Sequence, residues 1–372
     1  MKQILFATTA LVASTSFAMA DVDISGFAEM GIFGGENTDG SEIDTQFHTD
    51  IDATFSMSGE TDNGLTFGAS VDLDEQIGDN NADDGLGESG ATRDDSDDGG
   101  ATMFVSGSLG TLTMGDTDGA YDFALSESII GATLRDDNEH LGYSGNNEMD
   151  GLYDGQIVRY DYTFGAFTVA VSAEIDDAPD SGLIDFDNFD GQGFTTNEIG
   201  SFLETQAAEI DNDTVLSVGG RYQGTFGAAD FGVGVGYQRA GNDQIVSITT
   251  NEAGDAITDV EFENEAVEAY GFSVDFSMEN GFQGVLDYSE YDNLAGLDNH
   301  LGLAAGYEFG ALLVALNYGK FELEDGGDNS GYALTANYDL GGGAQLQGGY
   351  AQNKPESGED YDRFSFGIAM SF

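Results

Sequence analysis

Hydrophobic and polar residues alternate with a period of two along many short segments of this chain. The clearest lies at the C-terminus. Phe364, Phe366, Ile368, Met370 and Phe372 take every second position there, with Arg363, Ser365, Gly367, Ala369 and Ser371 between them. Successive side chains of an extended strand point to opposite faces, so this segment has one apolar face and one small or polar face. Near the start, Val22, Ile24, Gly26, Ala28, Met30 and Ile32 oppose Asp23, Ser25 and Glu29. Phe47, Thr49, Ile51, Ala53, Phe55 and Met57 then oppose His48, Asp50, Asp52 and Thr54, and Leu65, Phe67, Ala69, Val71 and Leu73 oppose Thr66, Ser70 and Asp72. Each pattern predicts a strand.

The strands are joined alternately by short and long connections. A short polar turn runs from Ser58 to Gly64, and an acidic stretch from Glu75 to Gly100. Short strands surround Met103 and Leu112, and a long segment without clean periodicity follows from Asp116 to Gly155. The alternation resumes in Val158, Tyr160, Tyr162 and Phe164, returns as Phe167, Val169, Val171 and Ala173, and reappears from Leu216 to Tyr222 and from Phe231 to Tyr237. Further segments centre on Phe272, Leu286, Leu303, Leu316, Leu334 and Leu346. The total is about 16 strands, an even number within the range of single-chain membrane barrels. About 10 tilted residues carry a strand across an outer membrane. A soluble sandwich has the same strand pattern but needs no segregation of short from long connections. Aromatics also gather beside the short turns, at Phe164, Phe167, Phe226, Phe231, Phe276, Phe282, Phe309 and Tyr338, where an interfacial girdle belongs. The expected fold is therefore all-β, a transmembrane antiparallel β-barrel.

Composition sharpens this. Met1 and Lys2, the apolar run Ile4–Val12 and the small residues Ala18 and Ala20 form a secretory signal peptide over 1–20, leaving 21–372 as one barrel domain. No apolar run approaches the ~20 residues of a membrane helix. Cysteine is absent, which excludes disulfides and thiolate metal sites. Only 2 prolines stand against 55 glycines, as expected where every strand must donate to a ladder. The formal net charge of −61 leaves no basic patch for phosphate and excludes nucleic acid as a partner. Hydrophobic residues still make up 40% and aromatics 11%, so the acids must sit apart from the ordered segments.

The stretch Met57-Ser58-Gly59-Glu60-Thr61-Asp62-Asn63-Gly64-Leu65-Thr66-Phe67-Gly68-Ala69-Ser70 resembles the general porins of alphaproteobacteria, the Rhodobacter type. Ser106-Gly107-Ser108-Leu109-Gly110, Met114-Gly115-Asp116 and Tyr338-Asp339-Leu340-Gly341-Gly342-Gly343 are similar to other stretches of that family. The resemblance implies a 16-stranded trimeric barrel in the outer membrane for passive diffusion of small hydrophilic solutes and ions. It also implies that the long third loop, about Thr117 to Gly155, folds into the lumen. Ending on Phe372 resembles the closing strand of such barrels, which the barrel-assembly machinery reads. Small outward residues on the early strands (Gly26, Ala28, Thr49, Ala53 and Ala69) suit packing of one barrel against another in a homotrimer.

A barrel of this size leaves an aqueous channel, and charges at a constriction set what passes. The loop offers Asp116, Asp118, Asp122, Glu127, Asp136, Asp137 and Glu139. The lumen wall is expected to carry Glu29, His48, Asp50, Asp52, Asp72, Asp161 and the bases Arg159, Arg221 and Arg363. The family usually sets Arg and Lys on the early strands against its loop acids. Acids stand there instead, so the expected channel prefers cations. Catalysis is not expected: His48, His140 and His300 form no nucleophile–base pair by spacing, and His140, beside Glu139, reads as solvated. No cofactor is required. Asp95 with Asp97, and Asp116 with Asp118, offer oxygens for Ca²⁺ or Mg²⁺, although the EF-hand spacing is not met. Divalent ions would tie the acidic loops to one another or to lipopolysaccharide and other outer-membrane lipids. Two alternatives stay open: a solute-specific channel using Tyr121, Phe123, Tyr143 and Tyr153, and a secreted Ca²⁺-binding acidic β-protein.

Overall fold

A computed structural model describes residues 21–76, 100–152, 155–175, 184–185, 214–250 and 257–372. The proposed signal peptide, Asp95, Asp97 and Tyr153 lie outside the described residues. The first strands are β1 (Asp21–Glu36), β2 (Glu42–Glu60), β3 (Thr66–Gln76), β4 (Ala101–Gly107) and β5 (Gly110–Asp116). β6 (Gln156–Phe164), β7 (Phe167–Ile175), the two-residue β8 (Ile184–Asp185), β9 (Thr214–Phe226), β10 (Ala229–Thr250) and β11 (Ile257–Met278) follow. The chain ends with β12 (Phe282–Leu294), β13 (Leu297–Phe309), β14 (Leu312–Leu323), β15 (Asp328–Gly341), β16 (Ala344–Lys354) and β17 (Tyr361–Ser371).

Among the described residues, sixteen of these strands form one antiparallel sheet, each bonded to its neighbours in sequence order. β17 returns to pair with β1, from Phe27 opposite Ser371 to Gly35 opposite Arg363, which closes the sheet into a barrel. Closure leaves no unpaired edge within the wall, the condition for a sheet in hydrocarbon. The apolar faces read from sequence point outward and are exposed, among them Ile24, Ile51, Val105, Val171, Leu316 and Phe366. The opposite face carries buried small and polar residues, including Ser172, Gln238, Ser273, Asn317, Asn337 and Ser365.

Tight turns recur in one form. Phe164-Gly165-Ala166, Phe226-Gly227-Ala228 and Phe309-Gly310-Ala311 each reverse the chain between neighbouring strands, and their glycines have φ of +66°, +65° and +67°. Glycine adopts these angles without the steric penalty of a Cβ. Beside the first of them a chain of ring contacts runs from Phe164 to Phe167, Phe167 to Tyr222 and Tyr222 to Phe231, and beside the third Phe309 stacks on Tyr307. An aromatic belt therefore runs along the short-turn rim.

β10 and β11 extend well beyond the segments Phe231–Tyr237 and Tyr270–Phe276 that alternation predicts. β9 pairs β10 only as far as Arg239, and β12 pairs β11 only from Glu268. The rest of the two strands pair with each other, with Ile184–Asp185 running parallel beside Asp243 and Gln244. This part of the sequence is rich in Asn, Asp and Glu. A ribbon outside the wall has no lipid-facing side to impose an apolar period, so backbone pairing alone defines it.

Candidate constriction site

The segment between β5 and β6 has little regular structure, a one-turn helix α1 (Ala120–Ala124) and a 3₁₀ turn at Leu134–Asp136. Its backbone groups need partners, and side chains of the wall supply them. The Ala120 amide donates to Ser172 Oγ at 2.8 Å, Ser126 to Ser273 Oγ at 2.8 Å and Leu141 to Asn353 Oδ1 at 2.6 Å. Two asparagines act as two-pronged clamps. Asn317 accepts from the Ile130 amide at 2.9 Å and donates to the Ile130 carbonyl at 3.2 Å. Asn337 does the same for Ala132, at 2.9 and 2.7 Å. Met149 N–H donates to Gln238, Ser365 Oγ donates to the Leu134 carbonyl, and Glu29 accepts from the Arg135 amide. The partners run from β7 around to β17 and β1, all on the polar face.

Apolar contacts add to this seating. Tyr121 and Met149 pack into a cluster with Val215, Ala240, Val267, Ala269 and Tyr291 of β9 to β12. Tyr121 is wholly buried, and its hydroxyl donates to Ser289 Oγ at 2.9 Å. Burying such a side chain is worth about 1.5–3 kcal/mol. Leu134 lies against Gly31 and Gly367, which face each other in the β1–β17 seam, and a Cβ on Gly31 would fall 2.3 Å from its methyl. Tyr121 thus presents no face to a solute, and Tyr143 is engaged with Glu127. Tyr121 is therefore not available to the aromatic slide of the solute-specific alternative.

Two of the three wall arginines, Arg159 and Arg221, hold this segment. Arg159 is buried, lies 4.1 Å from the centroid of the Phe123 ring, donates to Thr117 Oγ1 and the Asp118 carbonyl, and stands 4.0 Å from Asp161. Arg221 pairs with Asp275 and donates to Ser126 Oγ at 2.6 Å. Arg363 stacks over Tyr361 at 5.5 Å, and on the segment itself Arg135 stacks over Phe33 at 3.8 Å.

The acids separate into two sets. Asp116, the last residue of β5, and Asp118, Asp136 and Glu139 are exposed, whereas Asp122, Glu127 and Asp137 are half-buried. Burial, followed by the Asp118 carboxylate, pushes Asp122 up to about 9. Burial raises Asp150 to about 7, against the lowering effect of the Gly119 amide and Gln238. Burial likewise raises Asp137 to about 6, against the Ser365 hydroxyl and the Arg135 charge. On the wall, register makes a contiguous acid patch. Glu29 faces Asp50, Asp52 faces Asp74, and Asp72 faces Thr54, whose hydroxyl it accepts at 3.0 Å. His48 lies 3.6 Å from Glu29 and is the nearest basic ring.

His140, expected to be solvated, is buried. The chain beside it docks on the wall, and burial, then the charge of His300, lowers it to about 4. Sequence reading also missed the clamps Asn317 and Asn337. Their signal was asparagine at inward positions of otherwise apolar strands. Among the described residues no group of three or more His, Asp and Glu side chains is placed to hold a metal ion.

The pattern of the Gram-negative porin family matches residues 7–357. The chain belongs to the Gram-negative porins. A porin of Rhodobacter capsulatus is 28% identical over 340 residues, covering 90% of this chain and 94% of its own. Among solved structures, a porin refined at 1.8 Å superposes with a TM-score of 0.62 at 23% identity, over 95% of this chain and 100% of that one. A mutant of the Rh. blastica porin gives 0.56 at 15% identity, with the same coverage. These structures share the barrel fold. As a porin the protein is a channel of the outer membrane, not an enzyme.

Replacing Asn337 by Leu keeps its bulk and strands the amide and carbonyl of Ala132, at about 1–3 kcal/mol for each buried group left unpaired. The expected result is faster proteolysis and amide exchange across 130–138 with the barrel intact by circular dichroism. The seating of the porin loop is also expected to weaken with pH. The folded values of Asp137, Asp150 and Asp122 lie above the ordinary 3.8, so packing favours their neutral forms. That contribution is whole below pH about 4 and is lost as pH rises through about 6, 7 and 9. Amide exchange in the loop should accelerate from pH about 5 to about 9, and Asp122→Asn should flatten the upper part of the rise.

Proposed function

We propose that this porin is a general diffusion channel preferring cations, with the 117–155 segment folded into its lumen as the constriction. The observation that carries this reading is the acid patch of β1 to β3. Glu29, Asp50, Asp52 and Asp72 adjoin by register on the polar face. The described loop contacts concentrate on β6 to β17 and β1, so the open route runs beside β2 to β5. Asp118, Asp136 and Glu139 are exposed on the loop. Two of the polar-face arginines are committed to the structure: Arg159 lies over the Phe123 ring and Arg221 is tied to Asp275. Charges lining a narrow channel with low-dielectric walls concentrate counter-ions. At ~0.15 M salt the Debye length is about 8 Å, so such charges act across a constriction.

The solutes are small, hydrophilic, and neutral or cationic. Residues 1–20 direct export through the periplasm, and the assembly machinery reads Phe372. The assembled form is a homotrimer packed through the early strands, and Ca²⁺ or Mg²⁺ bridges the acidic outer loops to one another or to lipopolysaccharide.

In a KCl gradient the reversal potential should show cation preference, weakening as salt rises, and the amide variants of Asp118, Asp136 and Glu139 together should reduce it. Anion preference would overturn the reading. Light scattering in mild detergent should give the mass of three copies, and a chelator should lower the temperature at which they dissociate. A monomer, or a midpoint indifferent to chelator, would defeat the respective part.

A further inference from the structure

The seam between β1 and β17 differs in kind from the other contacts of the wall. Each other pair of neighbouring wall strands is joined by the chain that runs directly between them. β1 and β17 come from opposite ends of the sequence and meet only through their pairing, from Phe27 opposite Ser371 to Gly35 opposite Arg363. A strand pair with a short connection stays close even when its hydrogen bonds open, whereas an untethered pair loses that proximity.

The polar face of this seam is covered by the tip of the loop. Read by register, three successive rows there are Glu29 with Ala369, Gly31 with Gly367, and Phe33 with Ser365. Leu134, wholly buried, lies on the middle row. One of its methyls stands 2.3 Å from where a Cβ on Gly31 would be and 2.6 Å from where one on Gly367 would be. A single side chain therefore rests on both strands, in a socket that exists because both positions are glycine. The flanking rows are gripped by the same two loop residues. The Leu134 carbonyl accepts from Ser365 Oγ of β17 at 3.2 Å, and the Arg135 amide donates to Glu29 Oε2 of β1 at 3.4 Å. The Arg135 guanidinium lies 3.8 Å from the centroid of the Phe33 ring of β1.

The turn that presents these two residues is strained. Arg135 and Asp136 have φ of +58° and +50°, left-handed angles that a Cβ disfavours. Such angles persist where surrounding contacts over-determine them. Here those contacts are the ones made with β1 and β17.

We infer that Leu134 and Arg135 form a clasp across the closing seam of the barrel. The clasp supplies, from the polar face, a link between β1 and β17 that the chain itself lacks, so the two strands part only after the loop tip lifts. The reverse also holds. Half of the Leu134 socket belongs to each strand, so the tip seats only on a closed barrel. The clasp does not depend on which ions pass, and anion preference would leave it standing.

The test uses the full-length porin in mild detergent. Leu134→Ala removes the side chain from the socket. Leu125→Ala is the control, because Leu125 sits in the same way over Gly271 of β11, away from the seam. In Leu134→Ala amide exchange across 27–35 and 363–371 should accelerate about tenfold or more, with β13 and β14 unchanged. Leu125→Ala should leave the seam at its native rate. The chain has no cysteine, so one engineered pair can bridge the seam: Ala28→Cys with Met370→Cys, partners in register on the outer face. Once oxidised, this bridge should abolish the difference in unfolding temperature between Leu134→Ala and the native residue. A bridge between Ala305→Cys and Leu316→Cys, within the β13–β14 hairpin, should leave that difference in place. Seam exchange that ignores Leu134→Ala, equal acceleration in Leu125→Ala, or a difference that survives the seam bridge would overturn the inference. If Leu134→Ala alone does not assemble, the seam-bridged variant should still fold, and failure of both would overturn it as well.

Discussion

Hydrocarbon offers no water to replace a lost hydrogen bond, so a strand that crosses it must have both its edges paired. That constraint makes the seam between β1 and β17 the contact on which the molecule depends. Its register carries every other strand into place, because each is bonded only to its neighbours. The same constraint reaches the irregular segment between β5 and β6. That segment has the unpaired amides and carbonyls of any loop, and the wall answers them with side chains in place of a strand. Asn317 and Asn337 each take the donor and the acceptor of one residue, as a neighbouring strand would.

Seating the loop this way determines where charge is left over. Arginine is scarce in this chain, and on the polar face Arg159 and Arg221 are fixed by Phe123 and Asp275, where they hold chain segments together. Carboxylates gather by register on the early strands, where His48 stands beside Glu29. The half-buried acids of the loop, with their raised values, belong to the structural group as much as to the channel.

The wall was legible in the sequence because each strand has one face in lipid and one in a polar interior, which writes a period of two into the residues. The closing segment Phe364–Phe372 and the Phe-Gly-Ala turns show this directly. The outer halves of β10 and β11 were not legible, since outside the wall neither face must be apolar. The loop's partners were hidden for a different reason. Asn337 lies about 200 residues from Ala132, and the pairing depends on the curvature of the closed sheet, which no local pattern records. The acids of the loop were visible as residues, yet which of them are exposed and which half-buried follows from those unseen contacts.

With the loop inside the barrel as proposed, its attachments have a mechanical effect. A thin hoop under sideways pressure fails first by flattening into an oval. A chord tied to the hoop at many points resists that flattening along the arc it spans. Among the described residues the ties given above run from β7 around to β1, and the early strands carry the acid patch. The stiffness of the cylinder is therefore uneven. Its compliant quarter is the one where small outward residues invite another barrel, so a neighbour pressed against that side would brace from outside what the chord leaves unbraced within.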